Sequence, residues 1–336
     1  MSMPIADAPR SPGLIKDPVQ VDVIILSWNR VDDTIAAIRS AACQVGVAKR
    51  ILVVDQGSDP ENLQKLKLFL QSEPVAELKK LGHNVGVAAG RNIASAMGCA
   101  PHIVALDSDA EFADAHALRR AVGHLQCREH LCAIGFRITN FFTGENDATS
   151  WDYAVDNNPD RRFSATRFIG AGHAMRRSVF ERVGGYDERL FFCGEEVDLC
   201  YRMLNTGYRI SYMPDVVIRH KVSPEHRVFW GKGRYYYTVR NTLYTNYKFG
   251  VPVSRLVVAA AAFLAKGMRN GVVVDTLRAY RDCLRMCREF RNSGEDKRAY
   301  QLSSATWGYI LQCEPSRQDS VVRKIHRQLA GLPHQG

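Results

Sequence analysis

The sequence predicts an α/β fold: a mostly parallel central sheet with helices on both faces, followed by a helical region. Two observations carry this. Between residues 21 and 138, short apolar runs of the buried-strand type alternate with segments of helical periodicity. Such alternation marks a parallel sheet covered on both faces. Polar residues also cluster just after three of the runs, at 27–30, 55–59 and 107–109. In such sheets ligands bind there, beyond the carboxyl ends of the strands.

Residues 21–27 form a β-branched apolar run, the first strand. Residues 32–43 have helical periodicity, with Asp32 or Asp33 as N-cap. A second strand covers 50–54 and ends at Asp55. A helix follows over 60–70, with Asp59 as cap. A short strand lies near 76–81 and a helix at 86–97. A third buried strand covers 102–106 and ends at Asp107. Residues 114–125 read as a helix and 131–138 as a strand. The polar stretch 143–167 lacks periodicity and reads as a long surface loop, and such loops beside a site are often functional. From Phe229 the pattern is helical and aromatic, then helical and basic. It is interrupted at Gly250-Val251-Pro252 and at 292–297. The expected organisation is a disordered leader over 1–20, a catalytic domain over 21–249 and a basic amphipathic helical extension over 250–336.

At 336 residues and 46% hydrophobic composition, the chain can bury large cores, which excludes a disordered or low-complexity protein. No run reaches the roughly 18 apolar residues that span a bilayer. The longest candidate, 256–265, reads as a buried or membrane-surface helix. The first twenty residues carry Pro4, Pro9, Pro12 and Pro18 and no apolar core, so they are not read as a secretory signal. Nine cysteines without regular spacing point to reduced thiols in the cytoplasm. The net charge is +10, and residues 220–336 hold 20 Lys+Arg against 8 Asp+Glu. The last third therefore seeks polyanions: phosphate-bearing ligands, anionic lipid or nucleic acid.

Asp107-Ser108-Asp109 places two carboxylates around one small residue at a strand end. If the chain is still extended there, both point to one side. Oxygen ligands so placed suit Mg²⁺ or Mn²⁺, which binds phosphates through one or two carboxylates. The same residues could simply cap the next helix. Asp55, before Gly57 and Ser58, could accept a hydrogen bond from a base or ribose, or sit in a plain turn. Asn84, Gly86 and the small residues after them lead to Arg91 and Asn92. Small residues admit close backbone approach, and a helix N-terminus near Gly86 could offer N–H groups to phosphate. Tight helix packing is the other reading. Glu195, Glu196 and Asp198 open a helix where its dipole favours negative charge, and one of them could be a general base.

Taken in order, the segments VIILSWNR, VVDQGSD, NVGVAAGRN, ALDSD, FIGAGHAMRRSVFERVGGYDE, GEEVDLCYRM and RHKVS resemble a family 2 glycosyltransferase. That is a nucleotide-diphosphosugar transferase of the Rossmann-like GT-A fold, and the likeness covers roughly 21–248. The resemblance implies that Asp55 contacts the base, helped by the edge Ser27, Asn29 and Arg30. It implies that Asp107 lies near the ribose, with Ser108 beside it. Asp109 and His220 would bind Mn²⁺ or Mg²⁺ on the diphosphate. Asn84, Gly86, Arg91 and Asn92 would hold the donor, and the 170–172 stretch with Gly172 would line the sugar pocket. Glu196 would deprotonate the acceptor hydroxyl, with Glu195 as second choice, and transfer would invert the anomeric centre. Two residues depart from the family pattern: the pair is Glu-Glu rather than Glu-Asp, and Gln56 stands where Asn or Asp is commoner.

Residues 230–246 resemble the helix after the catalytic domain of rhamnosyltransferase-like members, where a pair like Arg240-Asn241 recurs. Trp230, Glu195 and Asp198 are the acceptor candidates. The resemblance implies a UDP- or dTDP-sugar donor. The acceptor would be a glycan or lipid-linked oligosaccharide of a cell-surface polysaccharide, met by a cytoplasmic enzyme peripheral to the inner face of the plasma membrane. Arg278, Arg281, Arg285 and Arg288 share one helical face, either solvated or facing anionic lipid head groups. A nucleotidyltransferase would carry a Gly-rich loop after strand one, absent from 27–32. A degenerate sugar-nucleotide-binding protein would bind without turnover. No nucleic-acid-binding motif accompanies the basic tail, so no nucleic-acid partner is expected.

Overall fold

The computed structural model describes residues 20–154, 156–221 and 233–314. The first half alternates as expected: β1 (Gln20–Ser27), α1 (Val31–Ala42), β2 (Ala48–Asp55), α2 (Pro60–Leu70), β3 (Ala76–Lys80), α3 (Gly86–Ala96) and β4 (His102–Leu106). Then follow β5 (Ala110–Phe112), α4 (Ala117–Cys127), β6 (Leu131–Asn140), β7 (Phe163–Ala165), β8 (Gly172–Arg176), α5 (Arg177–Arg182), α6 (Glu195–Asn205) and β9 (Arg209–His220). Four helices close the described chain: α7 (Arg234–Lys248), α8 (Val253–Arg269), α9 (Val273–Asn292) and α10 (Ser304–Cys313).

The nine strands of the described residues join one sheet, in the order β3-β2-β1-β4-β8-β6-β9-β5, with β7 also on β9. Strands β3, β2, β1 and β4 are parallel. The other half is mixed. Strand β8 enters at Gly172, opposite Leu106 at the carboxyl end of β4, and so runs antiparallel to β4 and β6. No helical crossover of the kind a parallel pair needs stands before it.

Side chains alternate along each strand and feed two cores. Val21, Val23 and Ile25 face one, with α1, Leu66 of α2 and α4. Ile24 faces the other, with α3, Leu199, Met203 and Leu204 of α6, and Ile310 of α10. Helix α10 therefore belongs to the sheet's second core, although it lies within the expected extension. A third core joins α7 and α9 to Leu190.

Some local expectations need correcting. Helix α1 is capped at Arg30, and Asp32 and Asp33 lie in its first turn, where the dipole favours them. Asp114 precedes α4 and accepts from the His116 N–H at 2.8 Å, which delays the helix to Ala117. The 143–167 stretch is not only surface loop. It contains β7, and Trp151, Tyr153 and Phe163 pack edge-on or stacked around Tyr212 of β9. Trp230, the leader before Gln20 and the chain beyond residue 314 lie outside the described residues.

A buried ion cluster ties the third core to the sheet. The Lys248 ammonium, 1% exposed, lies 2.6 Å from Asp187 and 2.7 Å from Asp198. Burial pushes the Asp187 carboxyl up, but Lys248 and Arg189 outweigh it and hold it at about 2. Its stabilisation is thus fully present above the ordinary Asp value of about 3.9 and is lost as pH falls through about 2. Lys248→Met removes the cation that two buried carboxylates share, leaving Asp187 to Arg189 and Asp198 to Arg202, and is expected to cost about 3 kcal/mol, read by urea unfolding at neutral pH.

Candidate active site

Strand register builds the first part of the site. Antiparallel pairing of β5 with β9 sets Ala110 opposite His220, and the Lys221 N–H donates to the Asp109 carbonyl at 2.8 Å. The 107–109 stretch is a turn rather than extended chain, closed by the Ala110 N–H on the Asp107 carbonyl. The two carboxylates still converge. One ligand atom each from Asp107, Asp109 and His220 lies within 4.8 Å of the others. Two carboxylates and an imidazole fit Mn²⁺ or Mg²⁺.

In the structure as it stands, protein cations hold Asp109. Arg30 reaches it at 2.6 Å and the His220 Nε2 at 3.2 Å. Burial raises the Asp109 carboxyl, but His220 and Arg30 lower it to about 2. Burial likewise lowers His220, while hydrogen bonds to Asp109 and Asp147 raise it to about 9. Asp147 went unrecognised in the sequence. Its carboxylate lies 3.4 Å from the His220 Nδ1 and is fixed by Thr149 and Ser150. The Asp147 N–H donates to Ile138 of β6, which delivers this side chain behind His220. The spacing Asp147-Ala148-Thr149-Ser150, an Asx-type turn, was the available signal.

Arg91 joins the metal-type cluster to the helix α6 carboxylates. This guanidinium is 3% exposed. It donates to Asp107 at 2.9 Å, to the Gly170 carbonyl at 2.8 Å and to Glu196 at 3.1 Å, and lies over the Tyr186 ring. Glu196 keeps 17% of its side chain exposed at the cleft. Glu195 turns away: it is 2% exposed and its Oε2 has no hydrogen-bond partner among the described residues. Burial, then the neighbouring Glu196 charge, push its carboxyl well above the ordinary range. A buried, protonated Glu195 is a poor base and meets no acceptor. Asp198 is also no acceptor contact, because its fully buried carboxylate is spent on Arg202 and Lys248.

At the other end, two strand-to-helix turns are stapled together. The Asn29 N–H donates to Ser58, and the Asn29 side chain accepts from the Asp59 N–H at 2.7 Å. Asn29 itself sits at φ +56°. Asp55 is fully buried and accepts from the Gly57 and Ser58 N–H groups and the Ser58 hydroxyl. It holds the turn. Ser27 is buried below it, and its carbonyl takes the Gln56 N–H. Ser108 stays half-buried in the turn between the two aspartates.

Three donor-site expectations change. The first two N–H groups of helix α3 are already taken. Asn84 takes that of Gly86, and the Phe191 carbonyl takes that of Val87. Gly86, at φ +88°, is needed because any Cβ would strike Phe191. Asn92 braces the 186–188 turn, bonding the Tyr186 backbone twice and Glu188 once. Gly172 faces Ile218 and Phe136 in the first core, where a Cβ would clash. Of the 170–172 stretch it is Gly170 that borders Arg91 and Glu196.

The mixed sheet, with a D-x-D turn, a histidine and a helix-start carboxylate gathered beyond its strand ends, has the fold of GT-A glycosyltransferases. Residues 22–184 match the family model described as Glycosyl transferase family 2. That stretch, just under half of the chain, is similar to the family, and it stops short of α6 and β9, which complete the sheet and the site. The Pre-mycofactocin glycosyltransferase of Mycobacterium tuberculosis is 29% identical over 180 residues, covering 51% of this chain and 37% of its own length. The dTDP-rhamnosyl transferase RfbF of Shigella flexneri is 31% identical over 98 residues, 27% of this chain and 33% of its own. The chain thus spans about a third of the length of these curated relatives. Among solved structures, the mannosyltransferase PcManGT from Pyrobaculum calidifontis, in complex with GDP-Man and Mn²⁺, superposes with a TM-score of 0.56 at 17% identity. That match covers 98% of this chain and 90% of the other. Residues 1–349 of S. aureus TarS, in complex with UDP, give 0.55 at 14% identity, covering 94% and 93%.

The Glu195 environment has a measurable consequence. In the unfolded chain it ionises near pH 4.3, whereas the native protein keeps the proton, so its contribution to stability falls as pH rises above that value. Glu195→Gln removes this slope. The stability of the variant relative to wild type, from urea unfolding, is expected to increase between about pH 4 and about pH 7.

Proposed function

We propose that the protein is an inverting, metal-dependent glycosyltransferase. It would move a sugar from a UDP- or dTDP-sugar to a glycan or lipid-linked oligosaccharide of a cell-surface polysaccharide, working peripherally at the inner face of the plasma membrane. The observation that carries the reading is the Arg91 bridge. One buried cation holds a carboxylate of the metal-type cluster, Asp107, and the half-buried helix-start carboxylate, Glu196, on either side of it. The name of the Shigella relative, a dTDP-rhamnosyl transferase, supports the donor class.

In this reading Asp109 and His220, with Asp107 in reach, would hold a divalent ion, which would supply positive charge to offset that developing on the departing diphosphate. Glu196 accepts the proton of the acceptor hydroxyl. The hydroxyl oxygen forms its bond to the anomeric carbon from the face opposite the leaving group. The bond to the diphosphate oxygen breaks, and the nucleoside diphosphate departs with that electron pair. Arg91 keeps Glu196 oriented, and the Asn29 and Ser58 turns form the nucleotide edge. Asp147 presents a carboxylate to the His220 Nδ1, which turns Nε2 toward the ligand cluster.

Thermal-shift measurements with a panel of nucleotide sugars, each with and without Mn²⁺, test the donor and metal together. A midpoint rise with one donor that needs the metal is expected, since a ligand of the native state stabilises by mass action. No shift with any of them removes the metal role from Asp109. Asp109→Ala should abolish turnover. Glu196→Gln should cut the transfer rate by about 10²–10⁴-fold while leaving the donor-induced shift intact, and an unchanged rate would show that another group is the base. Asp147→Asn should weaken Mn²⁺ binding, titrated calorimetrically, by about 10–100-fold.

A further inference from the structure

We infer that helix α8 lies in the surface of an anionic lipid bilayer and docks the enzyme through an exposed apolar stripe. The inference deepens the peripheral placement proposed above and does not depend on the transfer chemistry. Of the 17 residues of α8, only Gly267 is buried. Val253, Val257 and Met268 are 69%, 63% and 60% exposed. Ala261 and Ala265 are exposed between them, and Leu264 is half-buried. The spacings of three and four put these residues on one helical face.

The orientation of that face is fixed from behind. Ala259, Ala260 and Phe263 pack on the third core, and the Tyr235 hydroxyl donates to the Phe263 carbonyl at 2.5 Å. Gly267 lets Thr276 of α9 come close, where a Cβ would clash. The stripe therefore points away from the protein. Ser254 is its one polar member.

Charge selects the occupant. Residues 253–269 contain Arg255, Lys266 and Arg269 and no acidic residue. At 100° per residue the three fall within an arc of about 60° on one flank of the stripe. An apolar face edged by basic residues is the pattern of a helix lying at the head-group boundary, its apolar side sunk about 5–10 Å. No helix among the described residues is long and apolar enough to cross a membrane, which fits contact within the surface plane. The next helix also exposes Val274, Leu277 and Leu284, beside Arg278, Arg281, Arg285 and Arg288, but there Asp275, Asp282 and Glu289 pair with the first three arginines. Helix α7 then links this surface to the cleft, because Asn241 holds the Leu190, Phe192 and Cys193 carbonyls just before Glu195.

The test is co-sedimentation of the full chain with vesicles of phosphatidylcholine alone and of phosphatidylcholine with phosphatidylglycerol. Binding to the anionic vesicles only, weakened by salt, is expected. Val257→Glu should lower the partition coefficient about tenfold or more, and Arg255→Gln or Arg269→Gln by about fivefold each. All three variants should keep the wild-type melting temperature and nucleotide-sugar shift, so that lost docking is told apart from lost folding or a failed donor site. The inference is overturned if anionic vesicles bring down no protein at low salt, or if Val257→Glu sediments like wild type. It is overturned equally if sedimentation velocity shows a dimer that Val257→Glu abolishes, which would make a second copy the occupant.

Discussion

The site depends on one buried cation. Arg91 lies on α3, under the cleft, and its guanidinium meets the end of β4 through Asp107, the approach to β8 through the Gly170 carbonyl and the start of α6 through Glu196. Taking a guanidinium out of water is costly, and only near-complete satisfaction of its fork offsets that cost. The surroundings are built accordingly. Tyr186 covers its plane, and the Tyr186 hydroxyl donates to the His173 Nε2, while the His173 Nδ1 faces the Ile169 carbonyl. Burial, and then the Arg91 charge, push His173 well below its ordinary range, so it stays neutral. Three segments distant in sequence thus share one electrostatic solution, and none of their carboxylates could be so close without it.

The same logic extends to the helices after the sheet. The chain entering α6 passes through Phe191, Cys193 and Gly194, all at positive φ. Such backbone is unfavourable for the first two and persists only where its surroundings enforce it. Asn241 of α7 does so by donating to three carbonyls at 2.6–2.8 Å, and Arg240 adds bonds to the Arg189 and Leu190 carbonyls. Lys248 pins the same helix to Asp187 and Asp198. Helix α7 is therefore tied directly to the segment that opens α6.

How far the sequence could be read follows from which information is local. The β1 to β4 alternation was legible because each strand is an apolar run closed by polar residues, and the 107–109 turn could be found from two aspartates after such a run. His220 was found only through a motif likeness, since β5, which brings it to Asp109, is three residues long and leaves no periodicity. Asp147 was missed for a related reason: it reaches His220 by backbone pairing across β6, a non-local contact. Asn92 and Gly172 illustrate the opposite error. Both residue types suit ligand contact, but helix and sheet packing had already used them. The burial of Glu195 and Asp198 was equally hidden, because three acidic residues at a helix start read as exposed capping until Lys248 arrives from α7 to join Arg202 of the same helix.

The Glu-Glu pair gains its meaning from that arrangement. Adjacent helical residues diverge by about 100°, so two neighbouring carboxylates cannot share one environment. Glu195 turns inward, where burial keeps its proton on. Glu196 turns to Arg91 and the cleft. Its extra methylene, compared with an aspartate, must be accommodated, and Gly170 does this, since a Cβ there would overlap the Glu196 Oε1. The Gly170 carbonyl meanwhile accepts from Arg91. A longer base, a missing side chain opposite it and a guanidinium anchored to both form one matched set. Changing any one of the three alters the position of the carboxylate that faces the cleft.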